Sequence, residues 1–241
     1  MAVTNTLARS VTVAQLFVRN MPLAGAGGVA TEPAFSIGDW VRQFILAPPF
    51  AWRWNRVTTT IPITAAGGQD YTKVLTDFGW LEKASWNDGG TPAKTQELEI
   101  ALDLSEETEK NPPRAIAAKL DNNSGTITFR VLPPPDKSYT VTITYQKAAP
   151  IFATLNDTWA PIPDYLSYLC NQGFAAKAYE YFSDERFLSA MQIFVKQVIA
   201  ANAGLDESQK NIFLGERITT GRQSLAEQTK TQMGATGRGL Q

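Results

Sequence analysis

The eleven residues LAPPFAWRWNR, Leu46 to Arg56, separate two different hydrophobic periods and so decide how the chain is divided. In the ten residues before them, apolar side chains recur at spacings of three and four, which is typical of one face of a helix. Two consecutive prolines then end that helix, because proline has no amide hydrogen to donate. After Arg56 the apolar residues alternate with polar ones, which predicts strands. The chain therefore changes from helix to sheet at this point.

Between residues 57 and 149 the hydrophobic period is two. The segments ELEIALDL (97–104), TITFRV (126–131) and TVTITYQ (140–146) each place their apolar side chains on one face of a strand. Weaker alternation at 58–63, 80–86 and 116–120 brings the number of predicted strands to about six. Turns rich in Gly, Pro, Asn and Asp separate them. We expect an antiparallel meander or a small barrel.

Helical periodicity occurs at both ends of the chain, at residues 14–21 and 37–46 and again after residue 161. The predicted fold class is therefore α+β, with a helical bundle built from both chain ends and an antiparallel β-domain inserted into it. The predicted parts are N-terminal helices (1–56), the β-domain (57–149), C-terminal helices (150–230) and a flexible tail (231–241). The tail is rich in glycine and should be disordered in an isolated chain.

A further helix predicted after Asp206 has only a thin apolar stripe. A monomer gains little from burying so narrow a stripe, so this helix and the tail form either a solvated face or a contact surface for a partner. The predicted partner-interface residues are Ile212, Arg217, Ile218, Arg222, Leu225 and Arg238.

The composition excludes several classes of chemistry. The chain has no histidine and one cysteine, Cys170, so it cannot build a Ser-His-Asp or Cys-His site or the usual zinc site. No phosphate-binding or dinucleotide-binding glycine motif occurs. We predict no catalytic residue, no cofactor and no metal site, and hence no enzyme. No segment has the roughly 20 apolar residues of a membrane span, so we expect no membrane partner and a protein that works where it is made.

Two groups of residues allow a second interpretation. Phe50, Trp52, Trp54 and Arg56 are predicted to pack at the junction between bundle and β-domain, although exposed aromatic side chains could also stack against sugars or single-stranded nucleic acid. The pair Glu97 and Glu99 could serve glycoside hydrolysis, but their spacing of two places both on the solvent face of a strand. A role in the core or at the domain junction is favoured for the aromatic residues, and an ordinary solvated surface is favoured for the two glutamates.

Two long phrases resemble a known family. They are ILAPPFAWRWNR (45–56), and the segment 140–187, which contains a strand ending in Tyr-x-Lys, a Pro-x-Pro-Asp-Tyr helix start at 161–165 and the acidic-Arg-Phe phrase at 185–187. The order of elements and these phrases are similar to the head-to-tail adaptors, or connectors, of tailed bacteriophages. The resemblance covers residues 37–203.

The resemblance implies a structural virion protein that forms a homo-oligomeric ring, commonly of twelve subunits, between the portal protein and a tail or nozzle protein. DNA would pass through the ring without sequence-specific binding, and the net charge of −1 agrees with that. The implied location is the virion neck, after synthesis in the host cytoplasm. The alternative function is a carbohydrate-binding or other baseplate or receptor-binding tail component.

Overall fold

Seven strands between residues 56 and 147 form one mixed sheet in the computed structural model. The structure describes residues 4–17, 32–101, 105–120 and 125–202. The strands lie in the order β1-β7-β3-β4-β5-β6-β2. Their bounds are β1 (Arg56–Ile63), β2 (Asp70–Val74), β3 (Phe78–Asn87), β4 (Thr95–Ile100), β5 (Ala115–Leu120), β6 (Thr126–Leu132) and β7 (Tyr139–Lys147).

The alternation in the sequence decides which side of each strand is buried. On β6 the side chains of Ile127, Phe129 and Val131 are buried, and the residues between them are half-buried. The inward-facing side chains of β7 join them in one apolar core that also contains Trp86 and Tyr139, whose ring centroids are 4.7 Å apart. This core makes the sheet a compact unit of its own, residues 46–150.

The sheet is nearly closed, because its two end strands lie next to one another. Lys73 of β2 donates a hydrogen bond to Thr59 Oγ1 of β1 at 2.6 Å, and a second one to the carbonyl oxygen of Thr60. Pro62 lies on β1. Proline has no backbone N–H to donate, so it is tolerated on an end strand, which has a hydrogen-bonded neighbour on one side only. Side chains therefore connect the two ends of the sheet.

The predicted fold class is wrong. The sheet is not an antiparallel meander, because β4 and β5 run parallel, with Glu99 opposite Ala115 and Ile100 opposite Ile116. Alternation shows which face of a strand is buried but not the direction of its neighbour. The chain has a nearly closed seven-stranded mixed barrel and four described helices, and not a bundle from both ends with an inserted antiparallel domain. The predicted domain limits stay a prediction, and the tail 231–241 lies outside the described residues.

The four described helices belong to the second compact unit, which combines the two ends of the chain, residues 1–45 and 151–241. Their bounds are α1 (Leu7–Phe17), α2 (Glu32–Leu46), α3 (Ser167–Tyr181) and α4 (Phe187–Ala201). α3 packs against both α1 and α4. Helical periodicity indicated that these segments bury one face, but much of what covers α1 is the irregular chain around Trp159.

Trp159 connects α1 to α3 through a short chain of hydrogen bonds. Its buried indole N–H donates to Ser10 Oγ at 3.0 Å, and the Ser10 hydroxyl donates to Asn171 Oδ1 at 2.7 Å. Backbone bonds continue the connection, since the Leu7 amide donates to the carbonyl oxygen of Asp157. The N-terminal residues are therefore held by a segment about 150 positions later in the chain.

Arg42 holds the same irregular segment to α2. Its guanidinium is buried, donates to the Ala160 carbonyl oxygen at 3.4 Å, pairs with Asp39 at 3.2 Å and lies 3.7 Å from the ring centroid of Phe152. Burial lowers the pKa of Arg42, and the adjacent Asp39 carboxylate opposes that shift. The Asp39 carboxylate also accepts the Phe152 amide hydrogen at 2.9 Å. Both members of this ion pair therefore bind α2 to the irregular segment.

Replacing Ser10→Ala should lower the free energy of unfolding by about 1–3 kcal/mol, because the Trp159 N–H and the Asn171 oxygen both lose a buried partner. Thr12→Ala is the matched control, since the exposed Thr12 hydroxyl bonds only to the Ala8 carbonyl of its own helix. Urea unfolding followed by circular dichroism measures both. Equal effects of the two substitutions would show that the hydrogen bonds through Ser10 do not stabilise the fold.

Gly173→Ala should also destabilise the helical unit, by about 1–3 kcal/mol, because α3 has no room for a methyl group at this position. A Cβ atom at residue 173 would lie 2.6 Å from a ring carbon of Phe194 and 2.7 Å from a methyl carbon of Val41. Gly90→Ala, in an exposed turn with its nearest contact at 3.3 Å, is the control. A thermal melt of Gly173→Ala that matches the parent would contradict this packing.

Candidate interaction surfaces

The ionisable side chains that the structure describes form no evident reaction centre. Within residues 4–17, 32–101, 105–120 and 125–202 no three His, Cys, Asp or Glu side chains come together as a metal site. Cys170 is buried, and burial raises the pKa of its thiol far above the ordinary value, so it is a poor nucleophile. Glu97 and Glu99 are exposed on β4, on either side of the buried Leu98. None of the helices in the described part of the chain is long and apolar enough to cross a membrane.

The aromatic side chains at 50, 52 and 54 lie in the barrel unit, at the start of the chain segment that leads into β1. Phe50 and Trp52 are buried, and Trp54 is half-buried. The ring centroids of Phe50 and Trp52 are 6.3 Å apart, and those of Trp52 and Trp54 are 5.3 Å apart. Buried indoles cannot offer a flat face to a ligand, so this group is a packed cluster and not a stacking platform.

A polar network on β3 and β7 holds this aromatic segment in place. The Trp52 amide donates to Gln146 Oε1 at 3.2 Å, and Gln146 Nε2 donates to Glu82 Oε2 at 2.6 Å. Arg56 pairs with the same carboxylate, and Asn55 Nδ2 donates to the Lys147 carbonyl oxygen at 2.9 Å. Gln146 is fully buried, so water does not compete for the hydrogen bonds of its side-chain amide. The predicted role of the segment as a junction between two parts of the chain stays a prediction.

Exposed apolar side chains are concentrated in the helical unit. A groove of about 420 Å³ lies between α1 and α3 and is lined by Val13, Tyr168, Asn171, Gln172, Ala175 and Tyr179. We call it the tyrosine groove. In the same unit Leu16 of α1 is 68% exposed, and Tyr165, just before α3, is 69% exposed. No charged side chain lines the groove, and its lining combines apolar and tyrosine side chains with the amides of Asn171 and Gln172.

The outer face of α4 is a second exposed apolar surface. Leu188 and Ile193 are 40% and 49% exposed, and the exposed residues between them and at the next turn are Ser189, Gln192 and Lys196. The opposite face of this helix is buried through Phe194, Val195, Val198 and Ile199. Among the described residues, α4 therefore has exposed apolar side chains on its outer face as well as a buried apolar face.

The sequence-predicted interface and these exposed surfaces do not coincide. Ile212, Arg217, Ile218, Arg222, Leu225 and Arg238 lie outside the described residues, so that prediction stays untested. Sequence reasoning missed Leu16, Tyr165 and Ile193 as exposed residues. The sequence did contain a partial indication that Tyr165 and Tyr168 are exposed. Each is followed directly by a leucine that faces the core, Leu166 or Leu169, and adjacent helical residues point in different directions.

Comparison with known proteins decides the family. A family model described as SU10 adaptor protein matches residues 11–215, most of the chain. The chain belongs to this adaptor family. The resemblance to bacteriophage head-to-tail adaptors is thereby confirmed. A search of curated proteins gives no match.

The match places this adaptor among bacteriophage structural proteins. The matched range begins within α1 and continues past α4, so it includes the barrel, the tyrosine groove and the α4 face. The exposed apolar surfaces thus belong to the matched part of the adaptor and are candidates for its contacts with other proteins.

Trp52→Ala should lower the free energy of unfolding by about 3–5 kcal/mol, because it removes a buried ring that contacts Phe50 and Trp54. Trp54→Ala serves as the matched control and should cost clearly less, since Trp54 keeps part of its surface in water. Urea titration with fluorescence detection compares the two. If both variants unfold like the parent, the aromatic cluster does not stabilise the barrel and a ligand-binding role would have to be reconsidered.

Proposed function

We propose that this adaptor joins the portal of a tailed bacteriophage to its tail by forming a homo-oligomeric ring, commonly of twelve copies, that surrounds the DNA channel. The family match over residues 11–215 carries the proposal. The exposed apolar side chains of the helical unit, among them Leu16, Leu188 and Ile193, support it, because large exposed apolar surfaces mark sites of contact with other proteins. The ring would lie in the neck of the virion, after synthesis in the host cytoplasm.

The charge of the chain suits a channel through which DNA moves. The net charge is −1, with 22 basic and 23 acidic residues, so the protein has no overall positive charge that would hold the phosphate backbone. Many basic side chains of the described residues are paired with carboxylates, as Arg130 is with Asp70 at 2.7 Å. We therefore expect DNA to pass without sequence-specific binding.

The portal is proposed to bind the C-terminal segment. That segment combines the apolar residues Ile212, Ile218 and Leu225 with the basic residues Arg217, Arg222 and Arg238. The apolar residues supply contact area and the arginines supply directed bonds to carboxylates. A tail or nozzle protein would contact a different part of the ring.

The alternative, a carbohydrate-binding tail component, is not favoured by the aromatic residues of the barrel. Trp52 and Trp86 are buried, and the Trp86 indole donates to the Pro113 carbonyl oxygen at 2.8 Å. A sugar-binding platform needs an open aromatic face.

Electron microscopy of the purified adaptor mixed with the portal of the same phage tests the proposal. We expect a ring of adaptor stacked on the portal ring. Replacing Arg217→Glu and Arg222→Glu together should weaken the complex, whereas Lys83→Glu, an exposed change on β3, should not. An adaptor that stays monomeric and unbound at every portal concentration would contradict the proposed function.

A further inference from the structure

Two exposed surfaces lie on different sides of α3 in the helical unit. α1 packs on one side, where Asn171 accepts the Ser10 hydroxyl. α4 packs on another, where Gly173 lies against Phe194. Residues 168, 171, 172, 175 and 179 share one helical face by their spacing, and Gly173 is not on it. The tyrosine groove and the outer face of α4 therefore point in different directions and cannot cover one another within one copy.

The exposed face of α1 has a simple order of side chains. Arg9, Thr12, Val13 and Leu16 recur at spacings of three and four, so they follow one line along the helix. The line begins with a positive charge and continues with apolar or uncharged groups. Val13 also lines the tyrosine groove, so this face and the groove are continuous.

The exposed face of α4 begins with a charge of the opposite sign. Glu185 lies just before the helix, Leu188 and Ile193 follow it at one and two turns, and Lys196 comes one turn later. The distance along α1 from Arg9 to Leu16 is seven residues, about 10 Å at 1.5 Å per residue, and Leu188 and Ile193 lie five residues apart on α4, about 7.5 Å. The two faces therefore begin with charges of opposite sign, and each continues with exposed apolar side chains.

Three ion pairs are formed within the described part of this unit, whereas Lys196 on α4 is exposed and is in none of them. Asp39 pairs with Arg42, Lys177 with Glu180, and Asp184 with Arg186. By contrast, the side chains of Arg9 and Glu185 are exposed and form no ion pair with any residue that the structure describes. These two charges are available for a contact outside the chain.

We propose that the α1 face, with the tyrosine groove beside it, receives the outer face of α4 from a second copy of this chain. With the two helices laid in the same direction, Arg9 faces Glu185 of the other copy, and Val13 and Leu16 pack against Leu188 and Ile193. Because the contact joins two different surfaces, a pair of copies still has one free surface of each kind. Such a contact continues from copy to copy, and it closes into a ring when the rotation between neighbouring copies divides a full turn. This inference rests on the proposed adaptor function and adds which surfaces join the copies.

Two exposed apolar residues provide the first test. Leu16→Asp blocks the α1 face and Ile193→Asp blocks the α4 face, and each should weaken self-association about tenfold or more, because a charge enters an apolar contact. Ser138→Asp, an exposed turn of the barrel, is the control. A mixture of the two blocked variants retains one intact pair of surfaces, so it should form dimers and no larger species. Sedimentation velocity of the full-length chain, with circular dichroism to verify folding, measures each sample.

Charge exchange provides the second test. Arg9→Glu and Glu185→Arg should each weaken association, and the double variant should restore it, since the pair is then reversed. If the blocked variants assemble like the parent, or the double variant fails to recover, the proposed contact is wrong while the adaptor function can stand. If the blocked variants lose only portal binding, the portal covers these faces and the inference is likewise wrong. A parent chain that assembles neither alone nor with portal would contradict the proposed function itself.

Discussion

The hydrogen bonds from Trp159 through Ser10 to Asn171 are the constraint on which the helical unit depends. All three groups lie in or beside the core, where an unpaired donor or acceptor costs about 1–3 kcal/mol. The relay is complete only when α1, the segment around Trp159 and α3 are all in place. α1 and α3 are thereby fixed side by side, and the exposed groove between them has a defined shape.

A second polar network fixes the position of the segment that leads into the first strand of the barrel unit. Gln146 connects the backbone of Trp52 to the carboxylate of Glu82, and Arg56 balances that carboxylate. The stretch LAPPFAWRWNR is thus bonded to the strands it precedes by side chains far along the chain. Its aromatic side chains pack against one another as a cluster. Its prolines end the preceding helix, and neither they nor the tryptophans form a ligand site.

The sequence allowed the local elements to be predicted better than their arrangement. Alternation located β6, which buries one face, and the first part of β7, whereas residues 143–146 of β7 are buried on both faces. It could not show that β4 and β5 are parallel, since the residues between them only have to bring the chain back to the same end. The start of α1 at Leu7 was missed, although Leu7, Val11 and Ala14 have helical spacing. Trp159 was not identified as a core residue. One of its contacts, Ser10, is far away in the sequence, and the other, Phe152, lies in a segment without regular secondary structure.

The same reasoning explains why the candidate surfaces were hard to foresee. A helix such as α4 is apolar over most of its length, and its sequence cannot distinguish residues covered by its own chain from residues left for a partner. Only the packing shows that Phe194 and Val198 face inward while Leu188 and Ile193 do not. Among the described residues, the buried polar side chains of Arg42 and Gln146 form hydrogen bonds that stabilise the fold. Several large apolar side chains are instead exposed at the surface. A protein that leaves apolar contact area on its surface is suited to assembly, which agrees with its membership of a structural adaptor family.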